Sequence, residues 1–158
     1  MVYNYMQKKR RRTDVDLIEC TNRMYEENFT CVAADEDGII FVSKDKGIRP
    51  MLDLMEGCDE HGWRPVYQAD MIIGKAAVLI ADHCGIKSIF ADVASEGAAE
   101  IAKDRGIDLS FRECVPHILN RQKTEEGPFE SALNGVDPDD FDLVMEKIRE
   151  VAVRLGQL

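Results

Sequence analysis

Ile86-Lys87-Ser88-Ile89-Phe90, then Ser95 through Arg105 stopped by Gly106, then Ile107-Asp108-Leu109-Ser110-Phe111, is the stretch on which the fold turns. The first run is short and apolar, as in a strand lying inside a sheet. The second opens on serine, a residue type that caps helices, with an acid behind it where the helix dipole favours negative charge. Gly106 then supplies a stop. The third run alternates Ile107, Leu109 and Phe111 with polar residues, the pattern of a half-buried strand. Strand, helix of about ten residues and strand make a βαβ unit, whose strands run parallel through a right-handed crossover.

Working backward, Asp70 is read as the N-cap of a helix from Met71 to Cys84, stopped by Gly85. That segment is apolar nearly all round, so the helix is expected to be central and buried. Thr30 to Ala34 and Ile39 to Ser43 form two strand-like runs joined by Asp35-Glu36-Asp37-Gly38, whose Asp-Gly step suits a hairpin return. Between hairpin and central helix, Lys44 to Arg49 is a polar loop, and Pro50 starts a short helix, Met51 to Glu56, closed by Gly57. An earlier helix capped at Thr13–Asp14 carries Leu17, Ile18, Thr21, Met24 and Tyr25 at helical spacing. Working forward, Asp137-Pro138 opens an amphipathic helix with Phe141, Val144, Met145, Ile148, Val151, Ala152 and Leu155 on one face. The order predicts an α/β fold: a three-layer α/β/α sandwich around a mixed sheet, with residues 13–158 as one domain. Ligands in such sheets bind beyond the carboxyl ends of the strands, near helix N-termini. Asp70 to Lys75, Ala94 to Glu96, and Cys114 to Arg121 are therefore the segments expected to line a cleft.

The 158 residues are 45% apolar, enough for one sizeable core, and their formal net charge is −10. The charge is uneven. Five of the 20 bases fall at Lys8 to Arg12, leaving 15 against 30 acids in the rest of the chain. Residues 1–12 are read as a mobile basic N-terminal arm. The acidic body argues against nucleic acid and anionic membrane as partners. No apolar run approaches the roughly 18 residues of a membrane helix, and no signal-peptide pattern opens the chain. Five irregularly spaced cysteines suit a reducing compartment, so the expected location is cytoplasmic.

Lys75 stands in an otherwise apolar helix, where a lysine can act as base, nucleophile or point charge for an anion, or extend its stem along apolar surface to water. Gly74 beside it weakens a helix and suggests close approach of another group. Ser95 and Glu96 are first a cap and a dipole-compatible acid; the same turn can also receive a phosphate or carboxylate. His117, Asn120 and Arg121 follow a strand in a loop with little packing reason to hold such types, and Arg121 would grip an oxyanion through its fork. Cys114 with His117 has the elements of an activated thiol, although a lone cysteine is more often simply packed. Cys58-Asp59-Glu60-His61 has Cys-x-x-His spacing without a second pair, and His83-Cys84 is read as a helix end, so no metal or cofactor is expected.

Cys31-Val32, Gly47 through Leu54, Ala69-Asp70-Met71-Ile72-Ile73-Gly74-Lys75-Ala76-Ala77 and Val115-Pro116-His117-Ile118-Leu119-Asn120-Arg121 together resemble the domain of unknown function 1893 family, small prokaryotic proteins grouped with the cytidine-deaminase-like fold. The resemblance covers residues 14 to 135 approximately. It implies a Cys-Pro-Met-Glu element where this chain has Gly127-Pro128-Phe129-Glu130, so no role for that cysteine transfers. Nor does zinc deamination. That chemistry needs His or Cys beside Glu at one helix start and Cys-x-x-Cys at the next, whereas Asp70 to Lys75 and Ala94 to Gly97 hold none of these. The expectation is a small anionic or nucleotide-like ligand held by Asp70, Ser95, Glu96, Asn120 and Arg121, with Lys75 and His117 as catalytic groups if there is turnover. The alternative is a non-catalytic interaction module using the C-terminal helix or the basic arm; a homo-oligomer is compatible with either.

Overall fold

The computed structural model describes residues 12–120, 122 and 125–158, with side chains from residue 16 onward. Residues 1–11 of the basic arm and Arg121 lie outside the described residues, and Arg12, expected in the arm, opens the first helix. Helix α1 (Arg12–Glu26) leads into the hairpin β1 (Cys31–Asp35) and β2 (Gly38–Ser43). Asp35 Oδ1 accepts from the backbone N–H groups of Asp37 and Gly38 at 2.8 and 3.1 Å, and Gly38 takes φ 145°, so the Asp-Gly return forms as expected. Then come α2 (Arg49–His61), β3 (Tyr67–Ile73), α3 (Lys75–His83), β4 (Ser88–Ser95), α4 (Glu96–Asp104), β5 (Asp108–Val115), the short α5 (Pro128–Ala132) and α6 (Phe141–Arg154).

The five strands form one mixed sheet in the order β2-β1-β3-β4-β5. β1 is antiparallel to both β2 and β3, whereas β3, β4 and β5 run parallel. The two parallel crossovers place α3 and α4 on one face. Cys20 and Met24 of α1, with Leu17 beside them, pack on the other, against Val32, Ala34, Tyr67 and Ala69. A larger core fills the space between the sheet and α2, α3, α4 and α6. Helices thus cover both faces, a three-layer α/β/α arrangement. The apolar face of α6 (Val144, Met145, Ile148, Val151, Ala152) is buried in that core and so is not free to dock a partner. Among the described residues no helix is long and apolar enough to cross a membrane.

Four expectations need correction. The expected helix from Met71 to Cys84 is shorter, because its first residues belong to β3; Asp70 is a strand residue paired with Cys31 and Ala91 and caps nothing. A continuous apolar run reads alike as buried strand or buried helix, and the pair Ile72-Ile73 favours the strand until Gly74 ends it. Gly74, extended at φ −103°, is the N-cap of α3. Helix α2 runs past Gly57 to a left-handed cap at Gly62. Gly57 is there for a different reason: a Cβ would collide with the indole of Trp63, which seats itself on that bare turn. In α1, Ile18 is 50% exposed and Cys20 takes the inward place. The C-terminal helix starts at Phe141 under Asp140, whose carboxylate accepts from the Leu143 N–H at 3.2 Å, rather than at Asp137-Pro138.

Candidate functional site

β3 and β4 are parallel neighbours, so the N-termini of α3 and α4 emerge side by side at the carboxyl end of the sheet. The two starts are built differently. α4 is capped from within: Ser95, buried at the end of β4, accepts from the Ala98 N–H through Oγ at 3.1 Å. That hydroxyl is thereby committed to the helix, and Glu96 beside it points to solvent. α3 has a glycine cap with no side chain to offer. The acceptor comes instead from α5, where Glu130 Oε1 takes the Lys75 backbone N–H at 3.2 Å. Glu130 is only 3% exposed. A Cβ on Gly74 would stand 2.5 Å from that oxygen, so the missing side chain is what admits the carboxylate.

Lys75 opens α3 rather than sitting in its interior, and its side chain crosses toward α4. Its Cε lies where a Cβ on Gly97 would be only 2.6 Å away, so the glycine at the start of α4 makes room for the lysine stem. The Lys75 Nζ donates to Asn134 Oδ1 at 2.9 Å and stands 4.0 Å from Glu126 Oε1. Asn134 in turn donates through Nδ2 to Glu126 Oε2 at 3.1 Å. The same oxygen is approached by His117, whose Nδ1 is 3.7 Å from Glu126 Oε1. The loop after β5 is held in a narrow return: the Asn120 N–H donates to the Glu125 carbonyl at 3.0 Å and the Gly127 N–H to the Ile118 carbonyl at 2.7 Å. That return brings Glu126 back beside His117. Among the described residues, Glu126 Oε1 and Glu130 Oε2 are buried atoms without a hydrogen-bond partner. A cleft of about 250 Å³ adjoins the cluster, bounded by Lys75, Leu79, Gly97, Glu100, Ile101 and Asp104 among others.

The structure therefore brings together Lys75 and His117 of the expected groups, through Glu126. Ser95 and Glu96 stand at the neighbouring helix start, Asn120 lies further along the loop, and Arg121 is outside the described residues. Asp70 belongs elsewhere. It is 8% exposed inside the sheet, where its Oδ2 accepts from Gln68 Nε2 at 3.0 Å and its Oδ1 from the Ile72 N–H at 3.1 Å. Burial raises its carboxyl from 3.8 to about 7, against the lowering effect of those hydrogen bonds. Glu126, Glu130 and Asn134 were not among the expected site residues. Glu130 alone had a signal, the glutamate of the element that the resemblance aligned with Gly127-Pro128-Phe129-Glu130.

The family model of the domain of unknown function DUF1893 matches residues 19–150. The chain belongs to the DUF1893 family. The match spans every strand, the second half of α1, all of α2 to α5 and most of α6. A crystal structure of a DUF1893 family protein (TM1506) from Thermotoga maritima superposes with a TM-score of 0.73 at 22% identity, covering 85% of this chain and 89% of that one. At that identity the likeness speaks for the shared DUF1893 fold. No curated protein matches the chain.

Proposed function

We propose that this DUF1893 chain binds a small, donor-bearing polar molecule, nucleoside-like in size, at the Lys75–Glu126–His117 cluster. The observation that carries the reading is the pair of buried, unpartnered carboxylate oxygens, Glu126 Oε1 and Glu130 Oε2, beside Lys75. A buried acceptor left without a donor costs roughly 1–3 kcal/mol, so such atoms favour a molecule that supplies N–H, O–H or ammonium groups. Glu126 Oε1 also lies beyond hydrogen-bond reach of both Lys75 Nζ and His117 Nδ1, so neither of them satisfies it.

The charges turn the expectation away from an anion. Glu130 already occupies the positive end of α3, Glu126 faces the Lys75 ammonium, and Glu100 and Asp104 border the cleft. Two acceptors around Lys75 Nζ suit an ammonium that orients a ligand more than an amine that attacks one. The mixed sheet, with two helix starts at one end, supports a cytidine-deaminase-like relationship. On that relationship, Gly74-Lys75 and Ser95-Glu96-Gly97 would occupy the places where zinc chemistry needs thiols and imidazole.

Calorimetric titration with nucleosides and small amines, against nucleotides and inorganic phosphate, tests the reading. Neutral or cationic donors should bind, and Glu126→Gln should weaken them about tenfold, the effect of a charge-assisted hydrogen bond of some 1.4 kcal/mol. Binding confined to phosphate-bearing compounds, or equal binding by wild type, Lys75→Ala and Glu126→Gln, would overturn it.

A further inference from the structure

Two sequence features set aside as a bare Cys-x-x-His spacing and a helix end come together in space. Asp59 on α2 and His83 on α3 meet side chain to side chain, with Oδ1 and Nε2 at 2.8 Å. Their sequence neighbours meet one layer deeper. Cys84, the C-cap of α3, is buried in the main core, and Cys58 packs against that core while keeping part of its surface open to solvent. The two cysteines thus share one core cluster directly beneath the Asp59–His83 contact, near enough for each thiol to influence the other.

We propose that Cys58 and Cys84 form an oxidisable pair that closes to an intrachain disulfide when the protein meets a low-molecular-weight disulfide. Cys58, the more accessible thiol, loses its proton to solvent and attacks one sulfur of the small disulfide, expelling one small thiolate. Cys84 then loses its proton, attacks Cys58 Sγ in the mixed disulfide and expels the second. Two protein thiols are oxidised by two electrons in all, and one small disulfide is reduced to two thiols. The product ties the C-terminal half of α2 to the C-terminal end of α3, whose other end carries Lys75. The exposure difference sets the order of attack, since a small disulfide reaches Cys58 before the buried Cys84. Burial raises both thiols and slows the exchange near neutrality.

The full-length reduced chain, exposed to oxidised glutathione at about pH 8 and mapped without reduction after thiol blocking, provides the test. Blockable cysteines should fall from five to three, with Cys58 and Cys84 in one linked peptide pair. Cys84→Ser should trap the glutathione adduct on Cys58 at a level about tenfold above wild type, because the resolving thiol is gone. Cys58→Ser should leave Cys84 reduced, and Cys114→Ser should change nothing. A wild-type chain that stops at glutathione adducts, or that links Cys58 to Cys114, would overturn the proposal. The wild-type peptide map decides the matter even where the Cys84 variant fails to fold.

Discussion

Asp70 and Glu130 are both buried carboxylates, and they have opposite surroundings. Asp70 stands inside the sheet beside Cys31 and the Gln68 amide, where among the described residues no positive charge meets it, and burial raises its carboxyl to about 7. Glu130 lies against the positive end of α3, takes the first N–H of that helix and has Lys75 beside it. Burial by itself therefore does not mark a site in this molecule. What distinguishes Glu130 is that it accepts from the positive end of a helix, and that its second oxygen is buried without a hydrogen-bond partner.

Mutation can break that contrast, the largest effect coming from Asp70. Its raised carboxyl keeps a proton in the fold that the unfolded chain gives up near 3.8, so the stability it lends below that value is lost as pH rises towards 7. Across this window the loss is about 1.4 kcal/mol per pH unit. Asp70→Asn should remove that slope, and urea unfolding at several pH values compares the two curves; parallel curves would mean that Asp70 ionises normally. Glu130→Ala should cost about 2–3 kcal/mol in urea unfolding, since it strips a buried carboxylate hydrogen bond from the start of α3. Gly74→Ala should cost about 1–2 kcal/mol by pushing the Glu130 carboxylate away, and almost nothing in a chain already lacking that carboxylate. A double-mutant cycle with no coupling would place Glu130 elsewhere. Ser95→Ala should cost about 1 kcal/mol and add independently to Glu130→Ala, because the α4 cap is local and shares no atom with the α3 one.

That same difference in range decides what could be read in the sequence. The unit from β4 through α4 to β5 was legible because its signals are adjacent: Ser95 caps, Gly106 stops, and the alternation in β5 follows at once. β3 was not legible, because β-branched residues run straight into the alanines of α3 and the only punctuation, Gly74, reads as a weak point in a helix. In the site, Lys75 and His117 could be picked out as polar residues in conspicuous places. Glu126 and Asn134 could not, since nothing local tells that the loop after β5 turns back to set a carboxylate between that lysine and that histidine. Glu130 meets Lys75 from 55 residues away. Contacts at that separation are properties of the closed fold.

Trp63, resting on the bare turn at Gly57 with Phe41 and His61 within about 6 Å of its ring, is the sole tryptophan of the chain. The molecule thus carries a single indole fluorophore, and it rests on Gly57, the residue before Cys58 in α2. Its emission reports on the C-terminal half of α2 without an engineered label. Loosening of that helix, whether by denaturant or by chemistry at the neighbouring sulfur, should show as a red shift while the far-ultraviolet signal of the sheet is still intact.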